Sequence, residues 1–221
     1  MFCDFRFSHR TFEDGTFAWS RGMFYSLMGA DVVVTNLLIA AWIELLVCWI
    51  CWCAAFMKPR RHAKERQTVV RAPSSRWGIG LVFVAFMLVW IWLKPVGFHK
   101  STVSLIASMI VGPISVFLAW ASVRELGIQW RLEAALSVDH KLIQTGPYRW
   151  IRHPIYTSMF GMLMATAAAY TWWPMWVAGA VAFISGTEIR VRAEERLLEQ
   201  RFQDKFREYR ARVPAYIPFV R

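Results

Sequence analysis

A largely apolar stretch from Met23 to Met57, whose only charged residues are Asp31 and Glu44, limits this chain more than any other feature. A helix needs about 20 apolar residues to cross a bilayer, because a backbone amide left unpaired in hydrocarbon is costly. The run predicts one span from about Asn36 to Met57, with Asp31 marking a break before it. Glu44 lies inside the span, where a helix-to-helix hydrogen bond is the simplest use of an acid. Further spans are expected at Trp77–Leu93 and Thr102–Val123, the latter with Gly112-Pro113 at its middle, a kink signal. A hairpin follows, with arms Ile155–Tyr170 and Met175–Thr187. Each arm is short for a crossing and implies tilt or local thinning. The fold class is therefore all-α, a polytopic integral membrane protein of about five transmembrane helices. It closes with a C-terminal hairpin and an amphipathic helix bearing Leu198, Phe202, Phe206 and Tyr209 as its apolar stripe.

Composition agrees: hydrophobic residues make up 57% of 221 positions, with 13 Trp and 16 Phe. The net charge of +11 would point to nucleic acid in a soluble protein. Here the basic residues gather beside apolar spans, in KPRRHAKERQTVVRAPSSR (58–76) and between Arg124 and His153, and no nucleic-acid-reading motif accompanies them. The positive-inside bias puts both loops, and with them the C-terminal helix, in the cytoplasm, with the N-terminus outside. Asp4, Arg6, Arg10, Glu13 and Asp14 interrupt the first residues, so a cleaved secretory signal is not expected. Three of four cysteines, Cys48, Cys51 and Cys53, stand in CWICWC (48–53) and read as small hydrophobes rather than metal ligands. Small residues recur at Gly161, Ala165, Ala169 and at Ala178, Ala182, Gly186, spacing that lets the two hairpin arms approach closely.

Two polar blocks carry the candidate chemistry. HKLIQTGPYRWIRHPIY (140–156) precedes the hairpin at the depth where headgroups meet hydrocarbon. Gly146-Pro147 marks a turn, and Pro154 suits the first turn of a helix. By itself the block reads equally well as a basic interfacial anchor with Tyr148, Trp150 and Tyr156 as belt aromatics. EIRVRAEERLL (188–198) places Arg190 and Glu194 on one helix face. Glu195 falls about 140° round from Arg190 at about 100° per residue. Either the helix bends there or the two glutamates have different tasks. Alone, this run also reads as a solvated face of ion pairs.

GPYRWIRHPIY, an apolar hairpin, R-x-x-x-E-E and a charged helix ending in RVPAYIPF together resemble the isoprenylcysteine carboxyl methyltransferase family and the related phospholipid methyltransferases. The resemblance covers about residues 124–219. The chain then reads as an N-terminal arm with three spans (1–123) and a methyltransferase-like cofactor-binding region (124–221), together one structural unit. The resemblance implies S-adenosylmethionine as cofactor, with His140, Leu142, Gly146, Tyr148, His153, Pro154, Tyr156 and Glu194 around it. Arg190 and Glu195 would be the catalytic pair, and the partner a lipophilic small molecule or lipid drawn from the bilayer. Ser158, Gln203 and Phe206 depart from the family's usual Gly, Gly and Tyr. A carboxylate acceptor would need orientation only, whereas an amine must also lose a proton, to Glu194, Glu195 or His153. A membrane reductase of the sterol-reductase type using a nicotinamide cofactor, and a non-catalytic accessory membrane protein, are the competing readings.

Overall fold

The computed structural model describes residues 13–57, 68–71, 75–91, 100–127, 135–137 and 141–216. Six α-helices follow in order: α1 Glu13–Phe56, α2 Ser75–Trp90, α3 Thr102–Leu126, α4 Pro154–Tyr170, α5 Trp173–Phe202 and α6 Asp204–Arg212. A 3-10 turn, Gly146–Arg149, precedes α4. The all-α expectation needs one amendment. Strands β1 (Thr68–Arg71) and β2 (Ala135–Ser137) form an antiparallel ribbon that joins the segments after α1 and α3. The β-branched run Thr68, Val69, Val70 favours such pairing.

The chain divides into two compact units, Met1–Ala40 and Ala41–Arg221. In the first, the described backbone is the opening part of α1, and it passes through Asp31 as helix, so the break expected there is absent. The Asp31 side chain lies outside the described residues, as does Cys3. The second unit holds everything below.

Helix ends follow local chemistry. Ser101 caps α3, its hydroxyl accepting from the Ser104 N–H at 3.2 Å. Gly127, at φ +54, closes it. Pro113 is accommodated within α3, which stays one continuous helix. α4 begins at Pro154, as the sequence predicts. Its last carbonyls are met from outside: Lys100 Nζ donates to Ala167 O at 2.9 Å and Thr171 O at 2.6 Å. Helix α5 runs 30 residues from the hairpin turn into the charged region. It then breaks at Gln203, where φ is +45. A single final helix was expected through this point; the break turns α6 so that Phe206 and Tyr209 are buried.

Among the described residues two helices, Val32–Phe56 and Thr102–Leu126, are long and apolar enough to cross a membrane. At 16 residues α2 reaches only about 24 Å, short of the roughly 30 Å hydrocarbon core. The faces of α3 are inverted relative to a soluble helix. Leu105, Ser108, Gly112, Ser115, Ala119 and Ser122 point inward, while Ile106, Ile110, Ile114 and Phe117 are exposed. Large apolar groups outside and small or polar ones inside suit a lipid solvent.

Helix α4 is the axis of the second unit. One side packs on α1 and α3: Ser108 Oγ donates to Ala165 O at 2.8 Å, and Trp49 Nε1 to Thr166 Oγ1 at 3.1 Å. Val82, Ala85, Val89, Leu163, Ala167 and Phe183 form the core on its α2–α5 side. The small-residue stripes therefore do a different job from the one expected. Gly161 faces Ser115 of α3, and Gly186 faces the Gly78 backbone of α2, so each hairpin arm makes its close approach to another helix. Ser158 is fully buried and donates to Ile155 O at 2.7 Å. Glu44 bonds within its own helix, accepting from Cys48 Sγ at 3.2 Å, rather than across to a neighbour.

Candidate active site

The site grows from the junction of the 3-10 turn with α4. Thr145 donates to the Glu125 carboxylate at the end of α3, fixing the chain before the turn. Gly146 follows at φ +57, a conformation that favours glycine, and an added Cβ there would press on the Glu125 carboxylate, 3.0 Å from Oε2. Tyr148 is buried, and its carbonyl accepts from Tyr209 Oη of α6 at 2.6 Å. Arg152 and His153 then lead into Pro154, both buried.

Helix α5 delivers the opposing residues. It runs unbroken through positions 190–195, and the angular conflict resolves by division of partners. Glu194 accepts from Tyr156 Oη, which also receives Arg190 Nε at 2.8 Å. Arg190 reaches Glu194 at 3.6 Å, and its guanidinium stacks over the Tyr156 ring at 5.5 Å. Glu195 turns the other way. Its Oε1 receives Arg152 Nε at 3.0 Å and Nη2 at 2.9 Å, and lies 3.3 Å from His153 Nε2. His153 bridges the two halves, with Nδ1 at 3.7 Å from Glu194 Oε2.

The electrostatics follow from these contacts. Burial pushes the Glu195 carboxyl up, but hydrogen bonds and charge from His153 and Arg152 outweigh it and hold the group below its usual value of 4.5. Tyr148 is driven well above its ordinary range by burial first, then by the charge on Glu194 and by Tyr209 and Glu125. Tyr209 is pushed up to about 12 by burial, with Arg152 opposing and Glu195 adding.

Of the residues expected from the sequence, His153, Tyr156, Arg190, Glu194 and Glu195 come together in one cluster. Tyr148, Gly146 and Pro154 frame it, and Leu142 lies half-buried in the extended stretch leading to the turn. His140 falls outside the described residues. The sequence assigns no site role to Arg152 or Glu125, and Tyr209 reads there only as part of an apolar stripe. Arg152 stood in the quoted RHPIY block, but an arginine beside an apolar hairpin looks the same whether it anchors to headgroups or pairs with a buried acid.

Such an arrangement defines a class: an apolar helical bundle whose polar end carries two guanidinium–carboxylate pairs, one buried and one partly exposed, joined through a histidine. Residues 105–200 match the model of the isoprenylcysteine carboxyl methyltransferase (ICMT) family. The match begins in α3, takes in the turn and α4, and ends near the close of α5. It thus starts earlier and stops earlier than the 124–219 resemblance, and it contains all five residues of the cluster. It supports a membrane methyltransferase. No curated protein matches the chain.

Proposed function

We propose that the chain is a multi-pass membrane methyltransferase that uses S-adenosylmethionine to methylate a lipophilic acceptor, a prenylcysteine-like carboxylate or a lipid amine. One observation carries the reading: within the family-matched stretch, Arg190, Glu194 and Tyr156 converge beside His153 and Glu195, at the polar end of a bundle with lipid-type faces. In this reading residues 1–123 supply the arm and three spans, and 124–221 the cofactor region. The basic loops and the site face the cytoplasm, with about five crossings in all.

The residues fit the cofactor's chemistry. Glu194 keeps a quarter of its side chain exposed, more than its neighbours in the cluster. It is the carboxylate best able to meet an ammonium group. His140, Leu142, Gly146, Tyr148, His153, Pro154 and Tyr156 would line the remainder. When bound, S-adenosylmethionine supplies an electrophilic methyl group on a sulfonium. The protein's share of the work is positioning and exclusion of water around donor and nucleophile. Arg190 orients an anionic acceptor, while Tyr156 and Glu194 fix its guanidinium. Glu195 and His153 hold the opposite wall, and for an amine acceptor Glu194, Glu195 or His153 takes the proton.

Titration of the detergent-purified chain with S-adenosylmethionine and, separately, with NADPH tests the reading. Micromolar binding of S-adenosylmethionine is expected. Binding of NADPH alone would replace the methyltransferase with a reductase, and binding of neither would leave an accessory membrane protein.

A further inference from the structure

We propose that Arg152 is a positioning residue that couples the C-terminal strap, residues 210–216, to the Glu195 carboxylate, making the strap a working component of the site. The proposal rests on the methyltransferase reading, and it concerns residues beyond the family-matched stretch, which ends at 200.

The Arg152 guanidinium divides its donors between two clients. Nε and Nη2 go to Glu195 Oε1 at 3.0 and 2.9 Å. Nη1 goes to the carbonyls of Arg210 and Val213 at 2.8 and 2.7 Å. Those carbonyls stand at and just beyond the end of α6, where a helix leaves acceptors without internal partners. The backbone repeats the connection. Arg152 N–H donates to Pro214 O at 2.9 Å, His153 N–H to Ala215 O at 3.0 Å, and Thr157 Oγ1 to Tyr216 O at 2.9 Å. These two N–H groups precede α4, so helix formation alone would leave them unpaired. Tyr209 ties the near end of the strap to Tyr148 O.

A guanidinium only 7% exposed is costly to bury unless its donors are met. The strap meets part of that need and Glu195 the rest. The planar fork fixes one relative to the other, which an ammonium on a flexible stem does not do. All these Glu195 contacts fall on Oε1, so the carboxylate's orientation, and the His153 ring 3.3 Å from it, follow the strap. The charged and titratable groups facing Glu195 are Arg152 and His153 before α4, Tyr209 on α6 and Glu194 beside it on α5.

The test uses the full chain in detergent. Hydrogen–deuterium exchange of segment 210–216 is measured without cofactor, and S-adenosylmethionine affinity is measured from pH 4 to 8. For Arg152→Gln we expect at least tenfold faster exchange in the strap. The acid limb of cofactor binding should move to higher pH, because Arg152, which together with His153 holds Glu195 ionised, is gone. Arg152→Lys should restore the acid limb but only part of the protection. A folded Arg152→Gln protein with both readouts unchanged overturns the proposal. Should that variant not fold, Tyr209→Phe carries the test by releasing the strap while Arg152 stays. Faster strap exchange with cofactor affinity several-fold weaker supports the coupling; faster exchange with unchanged affinity overturns it. Failure of the unaltered chain to bind S-adenosylmethionine sinks the methyltransferase reading itself, and that result comes from a different sample.

Discussion

Gly78→Ala offers the sharpest perturbation of the site from a residue that belongs to neither polar block. A Cβ at Gly78 would stand 2.6 Å from Gly186 O and 2.6 Å from Arg190 Cγ. The first neighbour is backbone and cannot rotate away. Ordinary contact begins near 3.4 Å, so α2 and α5 must part by roughly 0.8 Å, and Arg190 moves with the separation. Overpacking of this kind costs about 1–3 kcal/mol, offset in part by alanine's better helix propensity of up to about 1 kcal/mol. A displacement near 1 Å at a positioning group costs on the order of 100-fold in rate. Methyl transfer from S-adenosylmethionine should therefore fall by one to two orders of magnitude, with a modest drop in the thermal midpoint. Gly80→Ala supplies the control, two residues along the same helix with nothing within 4 Å of its added Cβ. It should be neutral or slightly stabilising. If Gly78→Ala matches Gly80→Ala in both turnover and midpoint, then Arg190 is not held by the α2–α5 contact and the reasoning fails.

Other expectations follow from single residues. Gln203→Gly should stabilise the protein by about 1 kcal/mol in thermal denaturation, because a non-glycine residue now holds φ +45. An unchanged or lower midpoint would count against strain at the α5–α6 break. His153→Ala should cut methyl transfer at least tenfold while helix content by circular dichroism is kept; undiminished turnover would put the chemistry elsewhere. The depressed Glu195 group stabilises the fold fully above its unfolded value of 4.5, and that contribution is lost as pH falls through the lower folded value. The stability gap between the parent and Glu195→Gln should accordingly be constant from pH 7 to 5 and shrink below about 4.5. A gap that widens on acidification would reverse the assignment.

The helices are legible because long apolar runs mark them, and among the described residues two are long and apolar enough to cross a membrane. Pro154 marked the start of α4, and Gly146-Pro147 marked the turn. The stripe partners were less readable, since the sequence states that Gly161 and Gly186 admit a close neighbour without naming it. The short β1–β2 ribbon depends on two segments 64 or more residues apart, a pairing that no local pattern encodes. In the site, the spacing of Arg190, Glu194 and Glu195 showed that the three could not share one target. Only the positions of Tyr156 and Arg152 reveal which glutamate goes where. Gln203 stands where the family resemblance expects glycine, and its positive φ accounts for that preference in the backbone. Glu44 misled because an acid in an apolar helix has two economical partners, a neighbouring helix or the thiol one turn away, and sequence does not rank them.

Lys100 sits far along the chain from the polar cluster, yet it bears on how the bundle can move. Its ammonium group meets the carbonyls of Ala167 and Thr171, where the partial negative charge of the α4 dipole gathers. Thr171 in turn donates to Val89 O of α2 at 2.6 Å. At the other end, the segment entering α4 is stitched to residues 214–216. A rod pinned at both ends behaves as a stator: a push on either end is passed along its length instead of being absorbed in a frayed turn. Movement of the neighbouring helices then has to run along α4, and the hydroxyl and indole contacts of Ser108, Trp49 and Trp52 are the friction points where such sliding would be felt.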